Sequence, residues 1–208
     1  MKAVLKYPGA KWRISEWIIS HFPEHKVYCE PFFGSGAVFF NKPQTYIETI
    51  NDIDGNIVNL FKVCRDNPEE LARLIEFTPF AREEFENCYD KSDDSLEQAR
   101  RTLVRYHQSF GTSNSSKKSW RNVQTYGGPR TATMWNYLPG RISEICARLK
   151  EAQIENIDAI ELIRRYNDEN TLLYCDPPYL QSLRRKNMYS CELSEEYHIN
   201  LLSVLKES

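Results

Sequence analysis

Apolar residues change their spacing several times along this chain, and each change marks a predicted element. Trp12, Trp17, Ile18 and Phe22 recur at helical spacing after a Pro8-Gly9 turn. Val27 to Cys29 is a short apolar run that Pro31 breaks, and it reads as a strand. Gly34 and Gly36 form a tight loop behind it, with a short helix predicted from Ser35. A second strand is predicted over 46–50, ending at Asn51 and Asp52, and the helix after it carries Ile57, Leu60, Phe61 and Cys64 on one face. Strand, glycine loop, helix, strand and acid open a doubly wound α/β domain.

The pattern then turns helical. Asn67 is a predicted N-cap with Pro68 at the first helical position and Glu70 three residues after the cap, and Pro79 ends that helix. A short amphipathic piece is predicted over 81–90 and a longer helix over 94–109, with Leu96, Leu103, Val104 and His107 inward. From Phe110 to Trp135 the chain is polar and carries Gly127-Gly128, the composition of an exposed loop or small irregular lobe. The α/β alternation resumes with Ile142, Ile145, Cys146 and Leu149 on one helical face and a strand within 152–156. A helix capped by Asn156 or Asp158 follows, then a strand over 172–175 and a last helix that Ser194 can cap.

Charge sharpens this picture more than composition does. The 208 residues are 41% hydrophobic and 27% charged, with a net charge of -2, which is ordinary for a globular chain. The sign is not evenly spread. Between Arg100 and Lys150 there are 10 Lys/Arg against Glu144 alone, while residues 61–99 carry 5 basic and 11 acidic residues. A basic middle in a near-neutral chain suits a local polyanion contact, and equally a solvated Arg-rich surface. The cysteines at 29, 64, 88, 146, 175 and 191 form no CxxC pair and read as buried small apolar residues of a reducing compartment. No signal peptide and no apolar run of 18 residues is present, so the expectation is a cytoplasmic chain with no membrane segment.

Candidate chemistry gathers where the predicted strands end. Open α/β sheets bind ligands at the carboxyl ends of their strands. Those ends deliver Glu30, Pro31 and Gly34-Ser35-Gly36, then Asp52, then Asp176-Pro177-Pro178-Tyr179. Asp52 follows Gly34 by 18 residues, about the distance at which dinucleotide folds place a ribose-binding acid, which points to a nucleoside-containing cofactor. A turn pair at a helix start would use the same two glycines. In the last loop, neither proline has an N–H to donate, so the carbonyls of Asp176 and Pro177 are held as acceptors beside the Asp176 carboxylate. Such a cluster suits an amino group with two hydrogens, and Tyr179 offers a flat surface for the ring that bears it. Closing a buried strand is the plainer use of the same residues.

The motifs "YPGAKW" at 7–12, "EPFFGSG" at 30–36, "YIETINDID" at 46–54 and "CDPPY" at 175–179 stand in a telling order. In that order the chain resembles the Dam-type, D12-class adenine-specific DNA methyltransferases over nearly its whole length. The resemblance implies a Rossmann-like S-adenosylmethionine-dependent methyltransferase fold with a mainly helical inserted DNA-recognition lobe. It implies a division into a cofactor-binding half at 1–62, a target-recognition lobe at 63–138 and a second half with the catalytic loop at 139–208. Family members continue for several more strands, so the C-terminal strands of the sheet are expected to be missing here, with self-association if that sheet edge is uncovered.

The resemblance also implies roles. Tyr7, Gly9, Ala10 and Lys11 match a segment folding over S-adenosylmethionine, Gly34 and Gly36 with Glu30 and Phe32 beside them match the site of its methionine portion, and Asp52 matches the ribose acid. Asp176, Pro177, Pro178 and Tyr179 match the adenine amine site, with Asp176 also against the cofactor. His107, Gln108 and Ser113 fall where the family approaches double-stranded DNA, and Lys117, Lys118, Arg121, Arg130 and Arg184 are the expected further contacts. No metal is expected. The adenine must flip out of the duplex, at a cost of a few kcal/mol. The alternatives are an inactive relic that binds cofactor and DNA, or an enzyme for another exocyclic amine such as cytosine N4. A nicotinamide oxidoreductase would leave the Asp-Pro-Pro-Tyr loop without a role.

Overall fold

A computed structural model describes residues 1–110, 119–122, 126, 130–180 and 191–207. Its centre is a parallel sheet of four strands, β1 (Val27–Glu30), β2 (Ile47–Asn51), β3 (Gln153–Glu155) and β4 (Thr171–Leu173), in the order β3-β2-β1-β4. Val27 lies opposite Ile47 on one side and Thr171 on the other, so β1 is central. The chain moves outward from β1 through β2 to β3 and then returns across β1 to β4. The strand order therefore reverses between β1 and β4, which is where open α/β sheets leave a crevice.

Both faces of the sheet are covered, as parallel strands require. One face carries the larger core, in which Tyr28, Ile50, Leu172 and Tyr174 meet apolar residues of the helices. These are α1 (Ser15–Ile19), α2 (Gly55–Asp66), α3 (Pro68–Phe77), α4 (Arg82–Asn87), α5 (Ser95–Gln108), α6 (Thr131–Trp135) and α7 (Leu138–Lys150). The other face carries α8 (Ala159–Arg165) and α9 (Glu195–Glu207), whose Ile160, Ile163, Leu201 and Val204 pack with Phe32, Leu173 and Cys175. The helical excursion α2–α7 joins β2 to β3, and its buried residues belong to the same cluster as the sheet's. Asp94 and Asp158 cap α5 and α8 through their carboxylates. On its other side β4 has no neighbouring strand among the described residues.

Three local expectations need correction. No helix starts at Ser35; residues 37–41 form successive turns. The cause is Gly36, whose φ of 66° is incompatible with a right-handed helix. A Cβ on Gly36 would stand 2.4 Å from the Phe33 ring and 2.7 Å from the Phe40 ring, both buried. Gly36→Ala is expected to destabilise the fold by about 2–4 kcal/mol from the combined backbone and packing strain. A chemical-denaturation midpoint indistinguishable from that of the parent chain would refute this. Asn67 stands before α3 but its side chain makes no capping bond. His107 and Gln108 do not reach the surface: they are 2% and 0% exposed.

Candidate active site

The carboxyl ends of β1, β2 and β4 open into one cleft, the place where open α/β sheets bind ligands. Its walls come from six separate parts of the chain, and hydrogen bonds tie those parts together. Asp52 accepts from the Gly34 amide through Oδ2 at 2.8 Å and from the Asp54 amide through Oδ1 at 2.9 Å. It thereby ties the loop after β1 to the loop after β2. Asn51 donates to the Pro31 carbonyl at 3.0 Å and accepts from the Ile157 amide at 2.9 Å, adding the loop after β3. Asn156 donates to the Asp52 carbonyl at 2.7 Å.

The N-terminal segment forms a strap across this end of the sheet. Trp12 donates its indole N–H to Ser35 Oγ at 3.0 Å. The Tyr7 ring fills the space above Gly34, where a Cβ would approach it to 2.8 Å. Gly34 (φ 51°) therefore admits the tyrosine, and the tyrosine lines the cleft. Lys11 donates to the Gly9 carbonyl at 2.8 Å and to Asp176 Oδ2 at 2.5 Å, joining the strap to the loop after β4. Burial alone would lower the Lys11 ammonium, but the bond to Asp176, the Asp176 charge and Tyr179 together outweigh it and hold the pKa above the ordinary lysine value. The same ammonium lies 5.5 Å from the centroid of the Tyr179 ring, which is 55% exposed.

Acids dominate the cleft: Glu30, Asp52, Asp54, Asp158 and Asp176 all line it. Burial pushes the Glu30 carboxyl up to about 8, against the opposing bond from the Tyr28 hydroxyl at 2.7 Å. Burial also raises Asp52 to about 6, against the bonds from the Asp54 and Gly34 amides. Both groups would ionise more readily beside a bound cation. Asp158 faces the cleft while capping α8, and accepts the Tyr197 hydroxyl from α9 at 2.8 Å.

Most of the residues singled out in the sequence meet here. Tyr7, Gly9, Ala10, Lys11, Glu30, Phe32, Gly34, Asp52, Asp176 and Pro178 line this one cleft. Gly36 does not; it lies beneath Phe33 and Phe40. Pro177 and Tyr179 flank the lining residues without being among them. The sequence reading missed Asp54, Tyr174 and Tyr197 as lining residues and Asn51 and Asn156 as ties. Asp54 and the two asparagines stand at strand ends, where position alone was a usable signal. Tyr197 sits inside a helix pattern and gave none.

The expected DNA contacts divide. His107 donates Nε2–H to the Val4 carbonyl at 2.8 Å, and burial lowers its pKa to about 3, so it is a neutral core residue. Gln108 donates to the Pro79 carbonyl at 3.2 Å. Neither can touch a polyanion as placed, a correction to the expectation. Arg121 is half-buried and Arg130 exposed. Ser113, Lys117, Lys118 and Arg184 lie outside the described residues. Among the described residues no group of three or more His, Cys, Asp or Glu is arranged to hold a metal ion. No helix there is long and apolar enough to cross a membrane.

A doubly wound parallel sheet with an acid-lined cleft at its switch point places the chain among the open α/β proteins, whose ligands bind at that point. The family model of the D12 class N6 adenine-specific DNA methyltransferases matches residues 7–208, and the chain belongs to that family. Among its relatives is a "DNA adenine methylase" of Haemophilus influenzae, 27% identical over 185 residues that cover 84% of this chain and 63% of that protein. Another "DNA adenine methylase", of Escherichia coli, is 25% identical over 86% of this chain and 65% of its own length. The "DNA N-6-adenine-methyltransferase" of Escherichia phage P1 is 28% identical over 86% of this chain and 24% of its own length. This chain thus spans less than two thirds of the cellular enzymes from Haemophilus influenzae and Escherichia coli.

Proposed function

We propose that this protein transfers a methyl group from S-adenosylmethionine to the N6 amine of an adenine flipped out of double-stranded DNA. The observation that carries this reading is a juxtaposition. Asp176 and Pro178 of the acceptor loop line the same cleft as Gly34 and Asp52. Residues 1–62 and 139–208 form the two halves of the catalytic unit in this reading, and residues 63–138 supply target recognition.

The donor set fits the methyl donor. Asp52 has a second lone pair on each oxygen beyond those its amide partners use, available to ribose hydroxyls. The excess of carboxyl groups over Lys11 suits a ligand of net positive charge. When bound, S-adenosylmethionine supplies a methyl group on a sulfonium that is already a good leaving group. The chain's own residues do the rest. Asp176 Oδ accepts one hydrogen of the adenine amine and the Pro177 carbonyl the other, which frees the nitrogen lone pair for in-line attack. Lys11 releases Asp176 and keeps its bond to the Gly9 carbonyl as the amine enters. The amine proton leaves toward Asp176 and then to water. Tyr179 stacks on the extruded base, worth roughly 1–3 kcal/mol against the unstacking cost. Positioning and fixed dipoles supply most of the rate.

The test is transfer of labelled methyl from S-adenosylmethionine to an adenine-containing duplex, followed by digestion to nucleosides. N6-methyladenine is the expected product. N4-methylcytosine would move the protein to another substrate, and binding of both ligands without transfer would make it a relic.

A pH signature follows from Glu30. At neutral pH its carboxyl is protonated in the free protein, and a cation in the cleft favours its ionised form. Binding therefore releases a proton, and cofactor affinity rises by up to about tenfold per pH unit below 8 before levelling. For the free chain the sign is opposite: a raised folded pKa contributes stability that is full below the unfolded value and lost as pH rises through about 8. Calorimetric titration between pH 6 and 9 should show the inflection in the parent chain and lose it in Glu30→Gln.

A further inference from the structure

Residues 1–14 belong to no helix and no strand, yet Tyr7 to Lys11 wall the cleft without a break. A segment without regular hydrogen bonding needs partners from elsewhere to fix its buried backbone. On the cleft side these are the bonds of Trp12 to Ser35 and of Lys11 to Asp176. On the opposite side they come from the helical excursion between β2 and β3. No described residue of 55–157 lines the cleft, so the excursion reaches it through the segments it holds.

The last turn of α5 holds the strap at two places three residues apart. His107 donates Nε2–H to the Val4 carbonyl at 2.8 Å, and the Tyr106 ring lies against the Tyr7 ring with centroids 5.7 Å apart. Arg141 on α7 donates Nη1–H to the Ala3 carbonyl at 2.9 Å. His107 is itself fixed from behind: its ring meets Trp135 edge-on at 5.9 Å, and the Trp135 indole donates to the Thr78 carbonyl at 2.8 Å. Burial keeps the imidazole neutral, so it has one N–H, and that N–H goes to the strap. The other ring nitrogen, Nδ1, is buried without a partner, which is unfavourable. An apolar side chain would fill the same space without that penalty. What histidine adds at this position is the bond to Val4, a residue only 2% exposed whose carbonyl has little access to water.

We propose that His107 is a positioning residue for the cofactor: by holding the Val4 carbonyl it sets the register of the strap, and so the seat of Tyr7 above Gly34 and the reach of Lys11 to Asp176. The assignment rests on the proposed function and extends it to a residue outside the cleft. Losing one such bond lets the strap open locally while the sheet stays folded.

The experiment compares the parent chain with His107→Leu, His107→Gln and Phe85→Leu at a temperature where all four are folded. Phe85 is buried on α4 against Tyr89 and serves as a destabilised control from another part of the same excursion. Amide exchange of residues 1–14 and of β2, equilibrium binding of S-adenosylmethionine, and methyl transfer are measured for each. His107→Leu should speed exchange in 1–14 and weaken cofactor binding by about five- to tenfold, the loss of one buried hydrogen bond, and leave exchange in β2 unchanged. Its KM for the cofactor should rise by the same factor, with the saturated rate within about twofold of the parent. Glutamine places an N–H near the position of the imidazole Nε2–H, so His107→Gln should restore exchange and affinity to within about twofold of the parent. Phe85→Leu should alter neither. Parent-like cofactor binding in His107→Leu, or a glutamine variant as weak as the leucine one, would overturn the positioning role and leave the proposed function standing. An equal loss of affinity in Phe85→Leu would overturn it as well, because general loosening would then suffice. A parent that binds no S-adenosylmethionine would overturn both.

Discussion

Asp176→Ala will lower methyl transfer by about 10³-fold or more while cofactor affinity stays within about threefold of the parent. The carboxylate belongs to the loop after β4 and accepts from Lys11 at 2.5 Å. Alanine removes the proposed acceptor for the adenine amine and leaves Lys11 with the Gly9 carbonyl and the Tyr179 ring. Asp176→Asn keeps the shape but presents an amide donor as well as an acceptor, and should lose about 10²–10³-fold. Asp52→Ala should show the converse order. The Gly34 and Asp54 amides lose their shared acceptor, so the two loops proposed to hold the cofactor loosen and its affinity is expected to fall first. Single-turnover transfer and equilibrium binding, measured separately, distinguish the two roles. Equal loss of cofactor affinity in Asp52→Ala and Asp176→Ala would contradict the assignment.

Glu48→Ala should cost about 3–5 kcal/mol of stability, the range for breaking a buried ion pair by removing one partner. Glu48 lies on β2 with its side chain 0% exposed, between Lys42 at 1% and Arg148 at 9%. Its Oε1 accepts from Lys42 Nζ at 2.5 Å, from Arg148 Nη2 at 2.7 Å and from the Thr45 amide at 3.1 Å, while Oε2 pairs with Arg148 Nη1. Removal strands two buried cations. At 2–4 °C per kcal/mol for a chain of this size, the melting temperature should drop by roughly 6–20 °C. Burial would raise the Glu48 carboxyl, but the bonds from Arg148 and Lys42 outweigh it and hold it below the usual carboxylate range. A depressed folded pKa contributes stability above the unfolded value, about 4.3, that is lost as pH falls through the folded one. The parent should therefore lose stability on acidification that Glu48→Ala does not. A variant melting within 3 °C of the parent would show that the cations escape to solvent. By contrast, breaking the exposed Arg73–Glu70 pair should leave the melt almost unmoved.

These two clusters mark the boundary between what neighbouring residues encode and what the folded chain decides. The strands at 27–30, 47–51 and 171–173 were legible because each is a short apolar run stopped by polar residues or proline. Parallel strands send their carboxyl ends to one side, so Glu30, Asp52 and Asp176 could be placed in a common site from sequence alone. Helices α2, α5 and α7 were legible from apolar residues recurring at 3.6-residue spacing. Capping by Asp158 and Ser194 was legible too, because a cap acts within three residues of itself.

Nothing local announced the strand order, which depends on where the chain crosses between β3 and β4. Lys11 meets Asp176 across 165 positions and Arg148 meets Glu48 across 100. The helix predicted over 94–109 with His107 inward matches α5, yet the resemblance had set His107 and Gln108 towards DNA, and α5 turns both side chains inward against Val4 and Pro79. The glycines read as room for a ligand, yet Tyr7 and Phe33 take that room. Sequence determines periodicity and turn chemistry because those arise from contacts a few residues apart. Partners of buried polar groups are chosen by which surfaces close on each other, and only the completed packing sets that.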